Sequence, residues 1–186
     1  MNLQTNIIAP LFNLKDVYGK QINLESYREK RVLIAFFRHA GCPFCNIRVH
    51  ALTKVYEELK NFNFEMIFFF ESPERVILRS SFHQEVSPVP IISDPDKLCY
   101  KAYGLENSGY KSAVSHITSF VQTAFKARSL GVPIHTMAAG ESIATMPAEF
   151  LLDKGLIIKK LLYSNRLNER MDIKEITKFA KESVDI

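Results

Sequence analysis

The chain of 186 residues has no tryptophan, only three cysteines, seven glycines and a charge excess of just +4. It has no long apolar run either. The longest, residues 32–37 and 66–70, fall far short of the roughly 20 residues a membrane-spanning helix needs, so no membrane partner is expected. The first residues, Met-Asn-Leu-Gln-Thr-Asn, carry no cationic stretch ahead of an apolar one, so no secretory signal is read there and the expected compartment is the cytoplasm. The 24 Lys and Arg are dispersed among 20 Asp and Glu, which excludes the basic surface of a nucleic-acid binder. An odd cysteine count argues against a structural disulfide framework. What remains, with 47% hydrophobic residues, is one globular domain over residues 1–186.

Short strand-like runs alternate with helical stretches. Ile22 to Leu24 reads as a strand after the Tyr18-Gly19-Lys20 turn. Residues 32–37 and 64–70 are unbroken apolar runs, the mark of strands covered on both faces. Between them a helix opens at Cys42-Pro43-Phe44-Cys45, with Pro43 suited to the first helical position and an apolar stripe through Ala51, Leu52, Val55, Tyr56 and Leu59. Ser72-Pro73-Glu74 reads as a further helix start, with Ser72 as cap. Ile91 and Ile92 follow as a short strand, then a helix carrying Leu98, Cys99, Ala102 and Tyr103 that stops at Gly104. This order implies a parallel sheet with right-handed crossovers.

Residues 106–145 break the rhythm as an insertion, with helical spacing over 111–129 and a loop beyond. Residues 149–152, the turn Asp153-Lys154-Gly155 and residues 156–163 form an antiparallel hairpin. A last helix starts at Asp172, with Glu175 completing a capping box.

Two cysteines three residues apart, after a buried strand and in the first turn of a helix, are placed for redox chemistry. The helix amino end stabilises a thiolate, and Arg38, His39 and Arg48 are near enough in sequence to add to that field. One thiol would attack and the other resolve the mixed disulfide. His39, Cys42 and Cys45 also form part of a metal-ligand set, but no second pair completes a closed site, so no metal and no other cofactor is expected. Met146-Pro147 precedes the hairpin, where a proline would interrupt sheet hydrogen bonding. It is either an ordinary strand-start proline or a cis one that turns backbone groups toward the cysteines, with Met146 at the substrate groove. Cys99, among apolar helix neighbours, is expected to pack.

Three stretches, Ala9-Pro10-Leu11-Phe12 through Leu24, Glu71-Ser72-Pro73-Glu74, and Ser93-Asp94-Pro95-Asp96 through Lys101-Ala102-Tyr103-Gly104, resemble the redoxin family of alkyl hydroperoxide reductase and thiol-specific antioxidant peroxiredoxins. The resemblance implies an α/β thioredoxin-like fold, a central mixed sheet flanked by helices, with the helical insertion ahead of the Pro147 strand. Peroxiredoxins typically carry Pro-x-x-x-Thr/Ser-x-x-Cys and a later Arg. Laid on this sequence, Cys45 takes the peroxidatic position, Cys42 the Thr/Ser, Arg38 the Pro, and Pro147 the place of the later Arg.

Those departures make a thiol–disulfide oxidoreductase the leading expectation, with Cys42 attacking, Cys45 resolving and Pro147 holding the substrate. The alternative is a thiol-dependent peroxidase with Cys45 peroxidatic. A further alternative is a metal carrier using His39, Cys42 and Cys45, to which His135 could add a ligand. The implied partners are a thiol, disulfide or peroxide substrate, a dithiol reductant of the thioredoxin type, and a second copy in a homodimer.

Overall fold

The computed structural model describes residues 2–79, 89–105, 123, 125–131, 141–142 and 144–182. A short antiparallel pair, β1 (Asn13–Lys15) and β2 (Gln21–Asn23), precedes β3 (Arg31–Phe36), α1 (Pro43–Leu59) and β4 (Phe64–Phe70). There follow α2 (Glu74–Leu78), β5 (Ile91–Ser93), α3 (Leu98–Ala102), β6 (Ala148–Asp153), β7 (Ile157–Tyr163) and α4 (Ile173–Lys181). Five strands form one sheet in the order β5-β4-β3-β6-β7. β3, β4 and β5 run parallel, while β6 lies antiparallel to β3 and β7 to β6. The fold is the mixed, helix-flanked sheet of the thioredoxin-like class.

The period of two along β3 assigns its side chains to two cores. Leu33 and Ala35, followed by Phe37, join Val49, Leu52, Tyr56 and Leu59 of α1 and Ile176 and Ala180 of α4 on one face. Val32, Ile34 and Phe36 join Phe69, Phe150, Tyr100, Tyr103 and Ile22 on the other. Phe36 stacks on Phe69 with ring centroids 4.6 Å apart and meets Tyr100, Tyr103 and Phe150 around its edge. Each such buried aromatic contributes about 1.5–3 kcal/mol by area, so this cluster fixes the central strands and with them the end of β3 that carries the cysteines.

Several local details differ from the sequence reading. β1 has one apolar residue in three and gave no strand signal; its partner is β2, with Gln21 donating to the Asn13 side chain at 2.6 Å. Pro73, not Ser72, is the N-cap of α2, because the Ser72 hydroxyl is engaged with the Ala40 N–H at 2.7 Å and with Glu141. Asp172 caps α4 through the Lys174 N–H, but Glu175 is drawn to Lys160 instead of closing a capping box. The hairpin turn runs over Lys154–Leu156, with Gly155 at φ +76° and Leu156 at φ +62°. Pro88, most of the expected helix over 111–129, and His135 lie outside the described residues, though residues 125–129 are helical.

Candidate active site

The loop between β3 and α1 is held from three sides. Tyr100 donates its hydroxyl to the Phe37 carbonyl at 2.6 Å, Ser72 receives the Ala40 N–H, and Asn46 donates its side-chain amide to the Ala40 carbonyl at 2.8 Å. The Cys42 N–H closes a turn on the His39 carbonyl at 3.0 Å. Cys42 is then the N-cap of α1 with extended backbone, Pro43 opens the helix, and Cys45 sits in the first turn. This is the arrangement the CPFC segment led us to expect, since a proline at the first helical position leaves no N–H to satisfy.

Both sulfurs are fully covered and reduced. The Arg38 guanidinium Nη1 lies 3.8 Å from Cys42 Sγ, and the Arg38 backbone N–H points at Cys45 Sγ at 3.4 Å. Burial pushes the Cys42 thiol up. It is outweighed by the hydrogen bond from the Cys45 thiol, the Arg38 charge, the Cys45 N–H and the more distant Arg170, which bring its pKa down to about 6. Cys45 moves the other way: burial, then its role as donor to Cys42 and the neighbouring negative charge, push it well above the usual thiol range. The pair thus holds one shared proton, with the anion on Cys42 beside the guanidinium and the proton on Cys45.

Arg48, expected at the thiolate, is turned to Glu149. Its Nε and Nη2 donate to the two carboxylate oxygens at 2.7 and 2.8 Å, with both side chains buried. The Met171 N–H completes the carboxylate at 3.0 Å. A buried, bidentate, charge-assisted pair of this kind cancels the Arg48 charge locally, and the guanidinium that adds to the field at the sulfurs is Arg170, from the β7–α4 connection. Neither Glu149 nor Arg170 was singled out from the sequence. Glu149 was detectable in principle, because it alternates with Leu151 onto the buried face of a strand, where a carboxylate must find a cation.

His39 lies with Nδ1 3.8 Å from the Glu141 carboxylate. Met146 was expected at a substrate groove; instead it is 2% exposed and packs in the same core as Cys42 and Cys45. Pro147 is buried, and its carbonyl accepts the Ser164 N–H at 3.0 Å, which ties the start of β6 to the end of β7. A second missed element is Glu71, fully buried after β4. It accepts from Thr145 Oγ1 at 2.6 Å and the Ser142 N–H at 3.0 Å and pairs with Lys97 at 2.8 Å, pinning the segment that leads into β6. Cys99 packs as expected, its thiol raised to about 12 by burial and then by Asp94. Among the described residues, no three His, Cys, Asp or Glu side chains converge as a metal site, and no helix is long and apolar enough to cross a membrane.

The chain is similar to Peroxiredoxin Bcp of Escherichia coli K12, 29% identical over 104 residues that cover 55% of this chain and 65% of that protein. Among solved structures it resembles peroxidoxin BcpB of Mycobacterium tuberculosis, with a TM-score of 0.67 at 12% identity over 97% of both chains. It also resembles a reduced Plasmodium vivax 2-Cys peroxiredoxin, with a TM-score of 0.62 at 16% identity over 95% of this chain and 79% of that one. At those identities the solved structures speak to the fold alone. Residues 6–161 match the AhpC/TSA family, which is more than half of the sequence, and the chain belongs to that family.

Proposed function

We propose that the protein is a thiol-dependent peroxidase whose redox centre is the Cys42–Cys45 pair, with Cys42 as the attacking sulfur. The observation that carries the assignment is the Arg38 guanidinium 3.8 Å from Cys42 at the amino end of α1, in a chain of the AhpC/TSA family. Family position alone would make Cys45 the peroxidatic residue; the charge at Cys42 supports the reverse. The Cys42 thiolate attacks the terminal oxygen of a hydroperoxide, the O–O bond breaks, and the leaving alkoxide takes a proton from water. Cys42 becomes a sulfenic acid. The Cys45 sulfur, losing its proton, then attacks the Cys42 sulfur and expels water, leaving a Cys42–Cys45 disulfide. A dithiol restores the pair by exchange, becoming a disulfide itself. Both sulfurs are covered, so reagents reach them only when the first turn of α1 opens locally.

A second reading is thiol–disulfide exchange, in which Cys42 attacks a substrate disulfide and Cys45 resolves. Cys42 and Pro147, standing where peroxiredoxins typically have Thr or Ser and Arg, favour it. Rapid-mixing oxidation of the reduced protein separates the two. A peroxidase consumes hydroperoxide orders of magnitude faster than free cysteine does, gives one disulfide per protein, and in the Cys45→Ser variant leaves a trappable sulfenic acid on Cys42. Oxidation no faster than free cysteine would leave only the exchange reading, and a sulfenic acid on Cys45 in the Cys42→Ser variant, formed at the native rate, would reverse the roles.

A further inference from the structure

A cavity of about 430 Å³ opens along α1, lined by Phe44, which stands between the two cysteines in sequence, and by Arg170, whose charge acts on both sulfurs. Phe44, Ile47, Arg48 and Ala51 line it from one face of the helix, at the i, i+3, i+4, i+7 spacing. Asn168 and Arg170 close it from the β7–α4 connection, and Thr123 and Lys126 from the helical segment before residue 130. Three of these side chains are cations and none is a carboxylate. Glu149, behind the wall, takes up the Arg48 charge through both carboxylate oxygens. Its contact with Arg170, at 3.8 Å, is one of charge alone.

Arg170 is the informative one. Its side chain is 9% exposed, Nη1 donates to the Glu169 carbonyl at 2.6 Å, and Nε stands 3.8 Å from Glu149, too far for a hydrogen bond. Nε and Nη2 are both covered and have no hydrogen-bond partner. These two nitrogens form one edge of the guanidinium, two parallel N–H groups of the spacing that matches a carboxylate. Buried donors are nearly always satisfied, and leaving them unmet is costly. Turning that edge into the cavity gives up the Nη1 bond to Glu169 and the 3.8 Å contact with Glu149 in exchange for two charge-assisted bonds to a bound carboxylate. Phe44, Ile47 and Ala51 give the remaining wall an apolar character, and the volume lies in the range of small-molecule sites.

We propose that this cavity binds the carboxylate end of the small molecule that reacts with the cysteine pair, with the Arg170 edge and Lys126 holding the anion and Phe44 and Ile47 covering the body. The inference rests on the redox reading of Cys42 and Cys45 and adds a substrate class to it. Hydrogen peroxide has no group that would use the site. A carboxylate-bearing thiol or disulfide does, and so does a carboxylate-bearing hydroperoxide.

The test compares matched probes on the reduced protein. In the disulfide arm, 5,5′-dithiobis(2-nitrobenzoate) carries two carboxylates and 4,4′-dithiodipyridine none. The Cys42 thiolate attacks either probe, its S–S bond breaks and one aromatic thiolate leaves; Cys45 then closes on Cys42 and releases the second. The hydroperoxide arm compares cumene hydroperoxide with its para-carboxylate. The expected result is saturation with the carboxylate member of at least one arm, and a ratio of carboxylate to neutral rate that falls about fivefold or more in Lys126→Gln and in Arg170→Gln, as loss of a charge-assisted contact requires. The arm that saturates identifies the reacting partner. Lys126 is exposed, so its variant is informative even if Arg170→Gln does not fold. Independently of reactivity, 3-nitrobenzoate should shift the amide resonances of Phe44, Ile47 and Ala51 saturably in the wild type and not in the variants. Neutral and carboxylate probes reacting alike, with no saturation and no shifts, would overturn the site. Shifts without reaction by any probe would instead overturn the redox reading and leave an anion site.

Discussion

Replacing Arg38 by methionine isolates the charge that sets the reactive state of Cys42. With the guanidinium nitrogen 3.8 Å from the sulfur, a pair of unit charges at an effective dielectric near 20 gives about 4 kcal/mol, equivalent to about three pH units. That is an upper figure, because the Cys45 thiol and N–H and Arg170 remain in place and water enters where the side chain was. The Cys42 midpoint, about 6 in the native protein, is therefore expected to rise by one to three units, to roughly 7–9. At pH 7 the thiolate share then falls from about nine-tenths to between roughly a half and a hundredth. Thiolate absorbance at 240 nm against pH reads this without requiring a reagent to reach the covered sulfur. Arg38→Lys keeps the charge and is expected to keep most of the low midpoint, which separates electrostatics from packing. An Arg38→Met midpoint within about 0.3 unit of the native one would refute the reasoning.

Glu149→Ala leaves the Arg48 and Arg170 guanidiniums in the interior without their carboxylate and is expected to destabilise the fold by about 3–5 kcal/mol, read by urea unfolding. Phe36→Ala removes the ring at the centre of the second core and is expected to cost a similar 3–5 kcal/mol, by the same measurement. Stability of the reduced protein depends on pH with a definite sign. The folded Cys42 pKa lies below its unfolded value, so its contribution is present above about pH 8.5, declines as pH falls, and is gone below about 6. Thermal midpoints are expected to climb over that window in the native protein and to lose the slope in Cys42→Ser, a flat native profile being the contrary result. Above it the raised Cys45 pKa acts in the opposite sense, weakening the folded state as the unfolded thiol ionises. Cys99, raised to about 12, is expected to stay unmodified by iodoacetamide at pH 8 while the native fold persists, as peptide mass spectrometry would show.

The central strands were legible because a run such as Phe64 to Phe70, apolar without alternation, has few homes other than a sheet covered on both faces. The cysteine pair was legible because Pro43 fixes where α1 begins and the spacing then puts both sulfurs in its first turn. β1 was not, since Asn13-Leu14-Lys15 has too little alternation to register and is held by its partner. Ser72 and Glu175 are capping residues by local rule whose side chains long-range partners, Glu141 and Lys160, had already engaged. The same limit hid the polar frame of the site. Arg48 meets Glu149 across 101 positions, and Glu71 meets Thr145 across 74, so no local pattern announces either pair. Arg48 was seen as a neighbour of Cys45 along the helix; only the tertiary fold shows that its charge is taken up by Glu149 and that the Arg170 charge adds to the field at the sulfurs in its place.

The account rests on where the anion sits, and carbon-13 NMR of protein labelled at cysteine Cβ measures it directly. With the reduced protein titrated from pH 4 to 10, the Cys42 resonance is expected to move through a midpoint near 6 while that of Cys45 stays in its thiol position past the ordinary thiol range. Ionisation of Cys45 first, or of both with midpoints near that of free cysteine, would contradict it.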